Sequence, residues 1–211
     1  MNQEVPRPCQ FSIVVLCEML GMGVYMSKLI LVTGGARSGK STFAENLAKE
    51  LGDNVLYVAT AQQTDNEMKQ RIEKHRERRP ASWETFEGYK NLDTSLYNII
   101  EDKSAVLLDC ITIMVTNLML QETFDWDRLT REKVEEIEYD IQHQIERLIS
   151  LSKMTKVPFI LVTNEVGLGV VPPSVMGRDF RDIAGRINQL LAKAADEVYF
   201  CVSGIPMKIK G

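Results

Sequence analysis

Charge imbalance is what this chain most lacks: 25 lysines and arginines stand against 29 aspartates and glutamates in 211 residues. Without a global field, neither nucleic acid nor an anionic membrane is recognised by bulk charge, and any polyanionic ligand must be held locally. Histidine is scarce, with two in the chain, so any histidine chemistry falls to His75 or His143. The four cysteines, Cys9, Cys17, Cys110 and Cys201, are scattered without metal-site spacing. Two fall in apolar strand-like runs, where cysteine acts as a small apolar residue, and a reducing cytoplasm is the expected compartment. Long apolar runs are missing as well: a membrane-spanning helix needs roughly 20 such residues. The nearest approach, residues 11–17 (FSIVVLC), is interrupted at Glu18 and preceded only by Arg7, a poor match to a signal peptide. Repeats and low-complexity tracts are absent. Residues 1–25 read as an appendage, and 26–211 as a single domain large enough for a substantial core.

What is present is an alternation. Apolar runs at 29–33, 55–59, 105–109, 158–163 and 198–202 have strand length and are rich in Val, Ile and Leu without clean alternation. That is the pattern of strands covered on both faces by helices in a mainly parallel sheet. Helical stretches separate them, as parallel connections require. The first runs from Lys40 to Leu51 and is capped by Gly52. A capping box, Thr64-Asp65-Asn66-Glu67, opens a second that Pro80 ends after Arg78. Over 128–153, Val134, Ile137, Ile141, Ile145, Leu148 and Ile149 recur at three- and four-residue spacing and mark one buried face. A last helix covers 180–195. The order predicts an α/β fold, a doubly wound, mainly parallel sheet.

Between the first strand and the first helix lies Gly34-Gly35-Ala36-Arg37-Ser38-Gly39-Lys40-Ser41, which fits G-x-x-x-x-G-K-[ST] in the strand–loop–helix context that gives the pattern its meaning. Glycines let the backbone N–H groups converge on phosphate oxygens at the positive end of a helix. Lys40 is expected to reach the terminal phosphates of a nucleoside triphosphate, and Ser41 to help hold Mg²⁺. The partner carboxylate for the metal belongs at another strand end, with Asp109 the best placed and Glu165 the second.

His143 lies off the apolar stripe of its helix and reads as a surface residue. His75 shares a helix face with Met68 and Ile72 and is flanked by Lys74, Arg76, Arg78 and Arg79. A neutral imidazole is a competent nucleophile toward phosphorus, and the cations disfavour its protonation and attract polyphosphate. From the residues alone, a packed helix histidine and a nucleophile are both open, and the packed one is favoured.

Further stretches follow in fixed order: Leu31-Val32-Thr33 leading into the loop, Tyr57-Val58-Ala59-Thr60-Ala61, Glu67-Met68 with Arg71-Ile72 and His75, then Arg79-Pro80 and Trp83. After them come Leu107-Leu108-Asp109-Cys110-Ile111-Thr112, Thr116-Asn117-Leu118, Val162-Thr163-Asn164-Glu165-Val166-Gly167, and Phe180-Arg181-Asp182-Ile183-Ala184-Gly185-Arg186-Ile187-Asn188-Gln189. This series resembles the bifunctional adenosylcobinamide kinase and adenosylcobinamide-phosphate guanylyltransferase family of cobalamin biosynthesis, from Leu29 to about Lys210. The resemblance implies phosphorylation of the aminopropanol hydroxyl of adenosylcobinamide by ATP or GTP, then transfer of GMP from GTP through a GMP-histidine intermediate on His75. It implies nucleotide contacts at the phosphate loop, at Ala59, Thr60 and Ala61, at Arg76, Glu77, Arg78 and Arg79, and at Glu87 and Asp109, with Mg²⁺ at Ser41 and Asp109. It also implies a homo-oligomer, a trimer, with small-molecule substrates. Two positions depart from the family: Lys74 stands where a second histidine often precedes the nucleophile, and Asp109 replaces a frequent Glu with a shorter carboxylate. Residues 1–25 have no counterpart. The rival readings are a single-activity small-molecule kinase and a GTP-dependent switch, which would need the Asn-Lys-x-Asp motif that this sequence lacks.

Overall fold

A computed structural model describes residues 27–61 and 79–211. The expected helix over 64–78, with His75, Arg76, Glu77 and Arg78, lies outside the described residues, as does the appendage 1–25. The described elements are β1 (Leu29–Gly34), α1 (Lys40–Leu51), β2 (Val55–Ala59), β3 (Glu84–Glu87), α2 (Leu92–Leu96), β4 (Ala105–Asp109), α3 (Ile111–Met119), a 3₁₀ turn (Trp126–Arg128), α4 (Arg131–Met154), β5 (Phe159–Val162), α5 (Val175–Ala194), β6 (Glu197–Val202) and β7 (Ile205–Lys210). The seven strands form one sheet in the order β3-β2-β4-β5-β1-β6-β7. All neighbours are parallel except β6 and β7, which pair antiparallel.

Because side chains alternate across a strand, each central strand feeds two cores. Leu29, Leu31, Leu56, Val58, Val106, Leu108, Phe159 and Leu161 pack with α3, α4 and α5 on one face. Ile30, Val32, Val55, Tyr57, Ala105, Leu107, Ile160 and Val162 pack on the other, where α1 contributes Ala44 and Ala48. Both alternating sets are apolar, which is why the runs read as continuous rather than alternating. Each such Leu or Ile contributes about 1.5–3 kcal/mol when fully buried.

The five expected strands are present as β1, β2, β4, β5 and β6, and the buried stripe of α4 is the expected one. Two strands were not expected. β3 is short and mostly exposed, and exists because it pairs with β2. β7 is exposed throughout and completes a hairpin with β6; Pro206 and the lysines at 208 and 210 suit an edge position. Helix starts also differ. α4 begins at Arg131, after Thr130 accepts a hydrogen bond from the Lys133 N–H, and α5 begins at Val175, where Ser174 caps by accepting from the Gly177 N–H.

Candidate active site

Parallel strands bring their C-terminal ends to one edge, and the register fixes which residues meet there. Ala59 lies opposite Glu87 on β3 and Asp109 on β4, Asp109 opposite Val162 on β5, and Gly34 opposite Cys201 on β6. Strand order changes direction at β1, which leaves to reach β2 on one side while β6 joins it on the other. Ligands of open α/β sheets collect at such a point, and the phosphate loop begins there.

The loop is held from both sides. The Glu165 N–H donates to the Gly34 carbonyl at 3.1 Å, and the Gly204 N–H donates to the Ser38 carbonyl at 2.9 Å. A Cβ on Gly34 would stand 2.5 Å from the Cys201 carbonyl oxygen, and Gly39 has φ 89° with its notional Cβ 3.0 Å from the Gly204 Cα, so neither position accepts a side chain. Lys40 is buried, and its ammonium donates to the Gly35 carbonyl at 3.0 Å. Helix α1 starts from Gly39 without a side-chain cap and without an acidic residue in its first turn. No carboxylate of its own therefore competes for the positive helix end, which suits an anion. Arg37 is exposed on the same loop, at φ 56°.

Beside the loop, Asp109 leads into a cis peptide with Cys110. Thr60 fixes this corner: its hydroxyl donates to the Cys110 carbonyl at 2.8 Å and accepts the Cys110 N–H at 2.9 Å, while Asn117 donates to the Thr60 carbonyl at 2.7 Å. Burial, followed by the Asp109 charge, pushes the Cys110 thiol up to about 12, with Lys40 acting in the opposite direction. The thiol is thus an inert packing group that feels both the strand-end carboxylate and the loop ammonium. On β2, the Arg79 guanidinium lies 3.6 Å from the centre of the Tyr57 ring and donates to Thr85 at 3.4 Å. Burial first and Asp109 second raise the Tyr57 phenol above its ordinary value, and Arg79 lowers it. Asp109 and Arg79 therefore both act on one aromatic side chain beneath the site.

At the exit of β5, Thr163 donates to the Asn188 side-chain carbonyl at 2.7 Å, Asn188 donates to the Asn164 carbonyl at 3.0 Å, and the Asn164 N–H donates to the Thr112 hydroxyl at 2.6 Å. Glu165 accepts from the Gly167 N–H at 3.4 Å, within its own loop.

Of the expected site residues, Gly34 through Ser41, Ala59, Thr60, Ala61, Arg79, Glu87 and Asp109 are described and belong to this edge or the segments entering it; Glu87 is exposed. Ser41 and Asp109, the residues expected at Mg²⁺, each carry a hard oxygen donor of the kind that ion takes. Among the described residues no group of three or more His, Cys, Asp or Glu could hold a metal ion. Sequence reasoning gave no role to Thr112, Asn117, Thr163 or Asn188. Their signal was their place inside the quoted motifs, as buried or half-buried polar residues that must find partners. Among the described residues, no helix is long and apolar enough to cross a membrane.

The family model described as cobinamide kinase / cobinamide phosphate guanyltransferase matches residues 30–209. The chain is 48% identical over 189 residues to the bifunctional adenosylcobalamin biosynthesis protein CobU of Escherichia coli (strain K12), covering 86% of this chain and 99% of that protein. CobU of Salmonella typhimurium gives the same identity and coverage. The corresponding protein CobP of Pseudomonas aeruginosa is 42% identical over 181 residues, 86% of this chain and 96% of its own. A solved structure, the flagellar accessory protein FlaH of Methanocaldococcus jannaschii, covers 92% of this chain and 83% of that one with a TM-score of 0.46 and 16% identity.

Proposed function

The chain belongs to the cobinamide kinase / cobinamide phosphate guanyltransferase family, and on that premise we propose how its residues divide the two reactions. The phosphate loop Gly34 to Ser41 binds ATP or GTP, its amides and Lys40 meeting the charge that develops on the transferring phosphoryl group. Adenosylcobinamide then accepts the γ-phosphoryl group on its aminopropanol hydroxyl. In the second reaction the imidazole of His75 attacks the α-phosphorus of GTP: a P–N bond forms, the bond to the β-phosphate oxygen breaks, and pyrophosphate leaves. A phosphate oxygen of adenosylcobinamide phosphate next attacks the same phosphorus, the P–N bond breaks, and adenosylcobinamide-GDP is released.

Ser41 and Asp109 hold Mg²⁺, which when bound neutralises phosphate charge. Arg76, Arg78 and Arg79 provide forked contacts to phosphate oxygens, and Ala59, Thr60, Ala61, Glu77 and Glu87 complete the nucleotide pocket. The unit that does this is the single domain 26–211, working as a homo-oligomer, a trimer, in the cytoplasm. The observation that carries the reading is the family match across residues 30–209, coupled to a phosphate loop whose shape forbids side chains at Gly34 and Gly39.

Product analysis tests it. Purified protein given adenosylcobinamide and ATP is expected to form adenosylcobinamide phosphate, and on addition of GTP to release pyrophosphate and adenosylcobinamide-GDP in equal amounts. Accumulation of the phosphate alone, with GTP consumed only as a phosphoryl donor, would leave a simple kinase.

A further inference from the structure

Strand β5 lies between β4, which ends at Asp109, and β1, which runs into the phosphate loop. Val162 is opposite Val32 on one side and Asp109 on the other. Past Val162 the ladder to β1 continues: the Thr163 N–H donates to the Val32 carbonyl at 3.0 Å and the Glu165 N–H to the Gly34 carbonyl at 3.1 Å. Asn164 therefore stays extended between them, level with the first residue of the phosphate loop and just beyond Asp109. Side chains alternate along an extended chain. The Thr163 hydroxyl turns to Thr112 of α3 and Asn188 of α5. Asn164 is thus assigned to the opposite face, where Val162 packs in one core with Ala44 and Ala48 of α1, the helix that starts from the loop.

The backbone of Asn164 is clamped. Its N–H donates to the Thr112 hydroxyl at 2.6 Å, and its carbonyl accepts from the Asn188 carboxamide at 3.0 Å. Its own carboxamide is half-buried and forms no hydrogen bond among the described residues. The next side chain, Glu165, is occupied within its own loop by the Gly167 N–H at 3.4 Å. A fixed residue with an open donor, placed between the phosphate loop and the carboxylate expected at the metal, faces what those two share, the terminal phosphoryl group of a bound triphosphate. We propose that Asn164 is a catalytic residue of the kinase half-reaction, its carboxamide N–H donating to a non-bridging oxygen of the γ-phosphoryl group and holding that group for attack by the acceptor hydroxyl. Asn164 forms no covalent bond in this step. Guanylyl transfer breaks a bond at the α-phosphorus instead, so the contact weighs less there. The assignment rests on the phosphoryl-transfer reading proposed above and deepens it.

The test uses the full chain and two variants, Asn164→Ala and Asn164→Asp, the second keeping the size of the side chain while removing its donor. In both, affinity for ATP is expected to fall roughly tenfold, while affinity for ADP and the melting temperature stay as in the wild type. The kcat for phosphorylation of adenosylcobinamide should fall about a hundredfold, and GMP labelling of the protein at saturating GTP should slow far less. A wild-type kcat in Asn164→Ala overturns the contact. So does full activity in Asn164→Asp beside a crippled Asn164→Ala, which would assign the residue to packing. Equal losses of ATP and ADP affinity would mark a distorted loop and overturn it too. Wild-type protein that binds ATP without phosphorylating adenosylcobinamide sinks the functional reading; the contact is then decided by the titrations alone, and variants that keep the wild-type preference for ATP over ADP overturn it.

Discussion

The Gly204 N–H holds the Ser38 carbonyl at 2.9 Å, so the turn between β6 and β7 backs the phosphate loop directly. The hairpin looks peripheral in the sheet order, yet its tip lies against Gly39, whose notional Cβ would be 3.0 Å from the Gly204 Cα. An edge strand with every residue exposed thereby gains a purpose: it fixes where the turn sits and so how the loop curls.

Gly39→Ala should therefore damage binding more than stability. A methyl group there meets backbone, and φ 89° is strained for any other residue, together worth about 1–3 kcal/mol. Nucleotide affinity, measured by titration, is expected to fall about tenfold or more while the protein remains folded. Undiminished affinity would mean that the hairpin does not set the loop's shape.

Asp109→Asn keeps the size of the side chain and removes its charge. If Asp109 helps hold the metal, turnover should fall about a hundredfold or more in both half-reactions, and excess Mg²⁺ should restore part of it. Binding of nucleotide without Mg²⁺ should not weaken. A variant as active as wild type at limiting Mg²⁺ would pass the metal role to Glu165, the other strand-end carboxylate.

Far from the site, Glu197 accepts hydrogen bonds from Lys208 at 2.6 Å and Tyr199 at 3.0 Å and pairs with Lys28 at 2.7 Å, tying β1, β6 and β7 together. These partners, Lys208 first, hold its carboxyl at about 2, against an ordinary 4.5. A depressed folded-state value means the stabilisation is complete above the ordinary value and disappears as pH falls through the folded one. Glu197→Gln should thus lower stability by about 1–2 kcal/mol at neutral pH, after discounting for the partly exposed lysines. The gap from wild type should close between about pH 5 and pH 2. A gap independent of pH would mean that packing, not charge, is what the residue supplies.

Much of the frame could be read from residue order, because its causes are local. The glycines at 34, 35 and 39 ahead of Lys40 announced the loop, continuous Val/Ile/Leu runs announced buried strands, and the stripe from Val134 to Ile149 announced α4. What could not be read depends on residues distant in sequence. Glu84–Glu87 is a polar stretch that becomes a strand only because β2 offers it an edge. Ile205–Lys210 carries no buried residue to mark it and is made a strand by its hairpin with β6. The Thr60–Cys110 exchange and the Thr163–Asn188–Asn164 chain join residues from different elements whose partners only the fold reveals. His75 is a different case: its own helix spacing favoured a packed residue, and only the motif series around it implied a nucleophile.

The decisive measurement is the intact mass of the protein after incubation with GTP and Mg²⁺, beside a His75→Asn variant and an ATP control. The expected result is an acid-labile mass increase of one GMP on the wild type alone, with the variant still able to phosphorylate adenosylcobinamide. No adduct under conditions where GTP is bound, or an adduct that survives in His75→Asn, would contradict a covalent transfer through His75.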